Sequence, residues 1–159
     1  MALRLDYPTL SQELFLKYRA FSMAIKETSI DNTIKDLVFV RASQMNGCAF
    51  CLDMHVKEAK IHGERELRLH HVAIWRESTL FTERERAALE WAETLTKLPE
   101  HGVSDEIYDR VRAVLTEKEL ADLSFVVVVI NGWNRLSVGF RAEPGSLDAA
   151  YGLDKACLS

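Results

Sequence analysis

The chain has 159 residues, of which 48% are hydrophobic and 28% charged, with only 7 Gly and 3 Pro. This length is that of one domain, and the composition supplies a core while excluding disulfide-dense, collagen-like and disordered chains. The 20 basic and 24 acidic residues give a net charge of −4, which disfavours binding to nucleic acids and to anionic membranes. We therefore expect a single, mostly helical domain over residues 1–159, with no nucleic-acid or membrane partner.

The N-terminal sequence and the number of cysteines bear on the cellular compartment in which the protein is expected. The segment from Met1 to Pro8 lacks the basic start and the continuous apolar block of a secretory signal. Three cysteines, an odd number, argue against a structural disulfide framework. We therefore expect a cytoplasmic protein in a reducing environment.

The first half of the chain contains apolar residues at helical spacing. One helix is predicted over residues 10–30, and Asp31 is placed to cap a second helix that extends to Met45. Gly47, after an asparagine, ends this second helix. A third helix follows over residues 48–62 and a fourth over residues 64–75.

The second half of the chain carries the clearest helix starts. Two threonine–glutamate pairs have the spacing of capping boxes, Thr82 with Glu85 and Thr116 with Glu119. In a capping box, the threonine hydroxyl accepts from the backbone N–H of the glutamate, and the glutamate carboxylate accepts from the backbone N–H of the threonine. Ser104 is placed to cap a helix between these two. About seven helices are expected in all, which makes the fold class all-α.

The last long apolar segment, residues 120–140, raises two questions. Its Val126 to Val129 run favours a strand by propensity, but no partner strand is evident, so we predict a fully buried helix. Because a helix that is apolar nearly all round must be covered on all sides, we expect a homo-oligomer, with a central helix in a monomer as the alternative. The tail over residues 144–159 is expected to be loosely ordered.

The residues with reactive chemistry lie at the start of the third predicted helix. Residues three and four apart on a helix are neighbours, so Cys48 lies beside Cys51, and Cys51 beside His55. An unperturbed thiol has a pKa of about 8.5, and a fall to about 6 makes the reactive thiolate the majority form at neutral pH. The helix N-terminus favours a thiolate at Cys48, whereas the imidazole of His55 favours a thiolate at Cys51.

Three other interpretations of this cluster are possible. The cysteines could be buried as small hydrophobic residues. They could bind zinc together with His55 and a fourth ligand from His62, His70 or His71, although the spacing from Cys51 to His55 is shorter than in common zinc modules. A thioredoxin-like fold also uses Cys-x-x-Cys, but it needs an alternation of strands and helices that this sequence lacks.

The sequence resembles a known family in several places. Residues 47–55, Gly-Cys-Ala-Phe-Cys-Leu-Asp-Met-His, follow Arg-Ala-Ser-Gln-Met-Asn at 41–46, and further similarity occurs at residues 73–77, 82–89 and 130–135. Together these segments resemble the alkylhydroperoxidase AhpD-like core of the carboxymuconolactone decarboxylase superfamily. The resemblance covers most of residues 34–140.

This resemblance implies an all-helical peroxidase that forms a dimer, trimer or hexamer and needs no bound cofactor. Such an enzyme reduces an alkyl hydroperoxide or hydrogen peroxide with a cysteine pair. Electrons then return from an external dithiol, such as dihydrolipoamide held on a lipoyl-carrying partner protein.

The resemblance also implies roles for individual residues. By position, Cys51 is the peroxidatic thiol, Cys48 the resolving thiol, and His55 the base that activates Cys51. The family's relay glutamate corresponds to Asp36, one methylene shorter, whose carboxylate is expected to orient His55. The position of a second histidine in the best-characterised members is occupied by Phe50.

Two alternatives to a peroxidase follow from the same scaffold. The first is a non-redox decarboxylase or isomerase, against which the cysteine pair argues. The second is a redox-sensing binding protein that forms the disulfide but turns over little substrate.

Overall fold

The computed structural model describes residues 3–158, and within them the chain forms nine α-helices, three short 3₁₀ turns and no strand. The helices are α1 Tyr7–Leu10, α2 Gln12–Ala24, α3 Asn32–Asn46, α4 Ala49–Ile61, α5 Glu66–His71, α6 Glu83–Thr96, α7 Asp105–Arg112, α8 Glu117–Phe140 and α9 Asp148–Tyr151. The 3₁₀ turns are Ile25–Glu27, Val72–Ile74 and Leu153–Ala156. The all-α prediction is confirmed, and α2 to α8 are the helices that the periodicity predicts.

The helix starts follow from the capping residues seen in the sequence. Both capping boxes form, with Thr82 and Glu85 at the start of α6, and Thr116 and Glu119 at the start of α8. The carboxylate of Asp31 accepts a hydrogen bond from the backbone N–H of residue 34 at the start of α3. These side chains satisfy amides that the first turn of a helix leaves without partners.

Helix α3 is central to the core. Its Val38 packs in a cluster with α6 and α8, whereas Leu37 and Val40 pack in a second cluster with α4, α5 and α6. All three side chains are buried. Because α3 is apolar on more than one side, it fixes where α4, the helix with the two cysteines, lies relative to the rest of the chain.

Helix α8 is a helix, as predicted, but it is not fully buried within one chain. Phe125 and Val128 are exposed, because neighbouring helices cover only part of its circumference. By length and composition alone, α8 could cross a membrane, and 44% of its apolar window is buried. Core helices meet the same length and hydropathy test, so this property does not assign α8 to a membrane.

The segment after Pro144 differs from the loosely ordered tail that the sequence predicts. It contains α9 and the last 3₁₀ turn, which packs against α4 and buries Leu153. The carboxylate of Asp53 accepts a hydrogen bond from the backbone N–H of Gly145, and the ammonium of Lys57 pairs with both Asp53 and Asp148. These contacts hold the tail against α4. The bonds from Asp53 to Gly145 and from Lys57 to Asp148 join residues 92 and 91 positions apart, which is why local composition gives no sign of them.

Candidate active site

A tight turn between α3 and α4 places the first cysteine. Gly47 ends α3 in the left-handed conformation, with φ of 63°, which glycine adopts without the penalty of a Cβ atom. The backbone N–H of Cys48 then donates to the carbonyl oxygen of Ser43 at 3.0 Å. Cys48 is therefore the N-cap residue of α4, as the Asn-Gly break in the sequence indicated.

A buried polar network fastens this turn to α8. The side-chain amide of Asn46 donates to the side-chain oxygens of Asn131 at 3.0 Å and Asn134 at 2.8 Å. Asn134 in turn donates to the hydroxyl of Ser43 at 3.2 Å. Since buried polar groups are costly to leave without partners, this network specifies one position for the turn that carries Cys48.

The two cysteines of the motif form a disulfide, Cys48–Cys51, at the first turn of α4. Each residue is only 2% exposed. The backbone N–H of Cys51 also donates to the sulfur of Cys48 at 3.2 Å. The third cysteine, Cys157, is free and exposed. The sulfurs of residues 48 and 51 are thus bonded to each other within the first turn of one helix.

His55 has a carboxylate partner that sequence analysis missed. Its Nδ1 lies 2.6 Å from the Glu58 carboxylate, and its ring packs against Phe39 with centroids 4.7 Å apart. Burial raises the pKa of Glu58, but the hydrogen bond to His55 and the charges of His55, Lys26 and His62 outweigh burial and lower it. Because a carboxylate only accepts, Nδ1 is the donor, which leaves Nε2 free to take a proton.

Asp36 does not hydrogen-bond His55, contrary to the sequence prediction. Its carboxylate pairs instead with Nδ1 of His62, at 2.7 Å. Burial raises the pKa of Asp36 above its usual value, although the hydrogen bond and charge of His62 oppose the rise. The reason is structural, because His62, directly after the end of α4, pairs with Asp36, and Glu58 is already the partner of His55.

A cavity of about 900 Å³ brings the predicted residues together. Cys51, His55 and Asp36 all line it, together with Glu58 and His62, whereas Cys48 does not. Much of the remaining wall is apolar and comes from several helices along the chain, including Tyr7, Phe15, Phe39, Phe50, Trp133 and Tyr151. The cavity therefore places Cys51 and His55 beside a space large enough for a small organic molecule.

The histidines proposed as zinc ligands have other positions and partners. His62 pairs with Asp36, and Nδ1 of His71 lies 3.0 Å from the hydroxyl of Ser78. Over residues 3–158, no group of three or more His, Cys, Asp or Glu side chains is arranged to hold a metal ion.

The pairing of His55 with Glu58 leads to a kinetic prediction. Replacing Glu58 with Gln removes the negative charge that stabilises a protonated His55 ring, so oxidation of the thiols by an organic hydroperoxide should slow. We expect a fall of about 10²-fold, the lower end of what general base catalysis contributes. Stopped-flow measurement of intrinsic fluorescence during a single turnover would give this rate.

The matched control is Glu66→Gln, because Glu66 pairs with Lys60 on the surface and does not line the cavity. This control should oxidise at the wild-type rate. An unchanged rate in Glu58→Gln would show that His55 acts without its carboxylate partner.

An all-helical domain with a Cys-x-x-Cys pair at the start of a helix and a histidine four residues further on is the arrangement of an AhpD-like protein. The model of the carboxymuconolactone decarboxylase family matches residues 11–94, which is more than half of the chain. The chain belongs to this family.

Relatives support the same assignment. The uncharacterised protein YdfG of Bacillus subtilis is 38% identical over 146 residues, covering 92% of this chain and 99% of YdfG. A crystal structure from Agrobacterium tumefaciens superposes with a TM-score of 0.86 and 36% identity, covering 90% of this chain and 98% of the other. That protein is of unknown function and is described as a candidate antioxidant defence protein AhpD.

A known enzyme also shares the fold. The debrominase Bmp8 superposes with a TM-score of 0.78 over 93% of this chain and 79% of its own, at 18% identity. This similarity concerns the fold alone.

Proposed function

We propose that this protein is a thiol peroxidase that reduces organic hydroperoxides through Cys48 and Cys51. The observation that carries the proposal is the Cys48–Cys51 disulfide at the start of α4. Cys51, one of its two residues, lines a large cavity together with His55. A redox-active pair needs two adjacent sulfurs, a nearby base and access for the oxidant. All three features occur here in one region of the structure.

In the first step, Nε2 of His55 takes the proton of the Cys51 thiol. The thiolate attacks the terminal oxygen of the hydroperoxide, the O–O bond breaks, and the departing alkoxide receives a proton to become an alcohol. Cys51 is thereby oxidised to a sulfenic acid. The aromatic side chains that line the cavity accommodate the organic part of the substrate.

In the second step, the thiolate of Cys48 attacks the sulfur of the Cys51 sulfenic acid. The S–O bond breaks, hydroxide leaves as water after gaining a proton, and the disulfide forms. The sum is one hydroperoxide and two thiols converted to one alcohol, one water and one disulfide. An external dithiol, such as dihydrolipoamide on a partner protein, reopens the disulfide by exchange.

The functional unit that we propose is a homo-oligomer in the cytoplasm. Exposed apolar side chains on α2 and α8 support self-association, including Leu14, Met23, Phe125 and Val128. The two surfaces adjoin, because the rings of Phe21 and Phe125 are in contact with centroids 5.9 Å apart. Burial of such apolar area between subunits is favourable.

The proposal is tested by counting thiols in the reduced protein before and after exposure to cumene hydroperoxide. We expect a rapid loss of the two thiols of Cys48 and Cys51. The variant Cys157→Ser removes the exposed third thiol, so that the count reports the pair alone. If the pair stays reduced in excess hydroperoxide, the protein is not a peroxidase.

The redox-sensing alternative is distinguished by turnover. A sensor forms the disulfide once, whereas a peroxidase consumes hydroperoxide continuously when a dithiol is supplied. Steady-state consumption with dithiothreitol and dihydrolipoamide separates these two outcomes. A decarboxylase on the same scaffold would keep its activity when both cysteines are replaced by serine.

A further inference from the structure

Asp36 and His62 form a second histidine–carboxylate pair beside the one that serves Cys51. Asp36 lies in α3, and His62 immediately follows α4, with Nδ1 and the carboxylate oxygen 2.7 Å apart. The Asp36 side chain is only 8% exposed, whereas that of His62 is 48% exposed. The hydrogen bond therefore runs from the interior of the protein to its surface.

The same two residues separate two cavities. Asp36 and His62 line the 900 Å³ cavity that contains Cys51, and they also line a second cavity of about 370 Å³. No other described residue borders both. The rest of the second cavity is mainly polar, with Thr33, Glu64, Arg68 and Glu85 among its lining residues. The pair is thus a polar partition between the reaction site and a water-accessible polar space.

The proposed reaction needs such a connection because it transfers protons several times at a buried site. Cys51 gives up a proton before it attacks, and the alkoxide and the hydroxide each gain one. His55 holds a single exchangeable proton through Nε2, since its Nδ1 is occupied by Glu58. When a dithiol reopens the disulfide, the released thiolate needs a proton again. A second group that exchanges protons with water shortens these steps.

We propose that Asp36 and His62 relay protons between the reaction site and the second cavity. This inference rests on the proposed peroxidase function. His62 exchanges a proton with water through its Nε2 and passes one to Asp36 through its Nδ1. Asp36 in turn exchanges protons with water or substrate inside the main cavity. Neither residue touches sulfur, so both act through the proton supply of the site.

Electrostatic contacts connect the two pairs. The charges of Glu58 and His55 both act on Asp36, and the charge of His62 acts on Glu58. Burial raises the pKa of Asp36, which brings protonation of this carboxyl nearer to the range in which an imidazole titrates. Beyond these groups, the charged residues that line the main cavity are Arg19, Lys26, Glu27, Lys35 and Glu143, and those that line the second cavity are Glu64, Arg65, Arg68 and Glu85.

The test is His62→Gln with chemical rescue. Gln keeps an amide that can donate to Asp36 but cannot exchange protons, so the fold is preserved while the relay is lost. We expect single-turnover oxidation by cumene hydroperoxide, and reduction of the disulfide by dithiothreitol, to slow by at least ~10-fold, less than loss of a direct general base. Imidazole at millimolar concentration should restore both rates, because the position of His62 is half exposed and borders an open cavity.

Asp36→Asn is the second variant and His101→Gln the control. In Asp36→Asn, oxidation and reduction should be equally slow. Imidazole should not restore these rates, because the Asp36 side chain is buried and imidazole replaces only the ring of His62. His101 is exposed and lines neither cavity, so its replacement should change nothing. A wild-type rate in His62→Gln, or a slow rate that imidazole does not restore, would overturn the relay.

These outcomes are separate from a failure of the peroxidase proposal. If the wild-type protein does not react with hydroperoxide, the peroxidase function is wrong. The relay is then still decided by the rate at which dithiothreitol reduces the Cys48–Cys51 disulfide, since that step needs no peroxide. Slower reduction in His62→Gln with imidazole rescue would support the relay in that case, and an unchanged rate would overturn it.

Discussion

Cys51→Ser should abolish hydroperoxide consumption, down to the level of a reaction without protein. A serine hydroxyl is not ionised near neutral pH, and it cannot be oxidised to the equivalent of a sulfenic acid. Cys51 is the cysteine of the pair that lines the large cavity with His55, so its sulfur is the one that we propose to react with the substrate. The measurement is steady-state consumption of cumene hydroperoxide with dithiothreitol as reductant.

Cys48→Ser should behave differently. The Cys51 thiolate can still attack, so we expect one rapid turnover and a sulfenic acid that the reagent dimedone traps and mass spectrometry locates. The partner that would form the disulfide is missing, so the sulfenic acid should persist. The opposite pattern, with trapping in Cys51→Ser, would exchange the roles of the two cysteines. Cys157→Ser is the control and should match the wild-type protein, because Cys157 lies on the surface.

Arg68→Met should destabilise the protein by about 3–5 kcal/mol, the usual effect of removing one partner from a buried ion pair. The Arg68 guanidinium donates to both oxygens of Glu85, to Glu64 and to the carbonyl oxygen of Leu80. Arg68 and Glu85 are both buried. Loss of the guanidinium leaves the Glu85 carboxylate buried with only its capping contacts. Urea unfolding followed by circular dichroism measures the change.

The effect of Arg68→Met should depend on pH in a defined direction. Burial raises the pKa of Glu85, but its hydrogen bonds with Arg68 and Thr82 outweigh burial and lower it. Stability from a lowered carboxyl pKa is present above the unfolded-state value of about 4.3 and is lost as the pH falls through the folded-state pKa. The stability difference between wild type and variant should therefore be largest at neutral pH and should narrow in acid.

The control for this stability prediction is Arg110→Met. Arg110 pairs with Glu90 and Glu106 on the surface, where an ion pair contributes about 0–1 kcal/mol. A similar loss in both variants would show that the buried position of Arg68 is not what makes it important.

Local patterns in the sequence were sufficient for most of the fold. A capping box needs only a hydroxyl and a carboxylate three residues apart, which is why the starts of α6 and α8 were predicted correctly at Thr82 and Thr116. The turn at Gly47 is also local, because a left-handed residue after a helix is a property of the backbone. The placement of Cys48 and Cys51 at the start of α4 follows from that turn.

The carboxylate partners of the histidines could not be obtained in the same way. Which residue of α3 meets which residue of α4 depends on how the two helices cross. The position of Asp36 in the sequence does not determine that crossing. The pairing of Glu58 with His55 can be predicted from the sequence, since Glu58 lies three residues after His55 on the same helix face. The sequence indicates His62 only as a possible zinc ligand, because no local pattern of residues links it to Asp36.

The contact between α4 and the tail has an evolutionary consequence. Asp53 and Lys57 hold the segment from Gly145 to Asp148, while Cys51 and His55 on the same helix line the main cavity. Leu147 of this segment and Tyr151, three residues beyond it, form part of the cavity wall. Insertions, deletions or substitutions after Pro144 therefore reshape the space available to a substrate without moving the sulfur chemistry. A change in the tail is thus a route to a different cavity shape with the same cysteine helix.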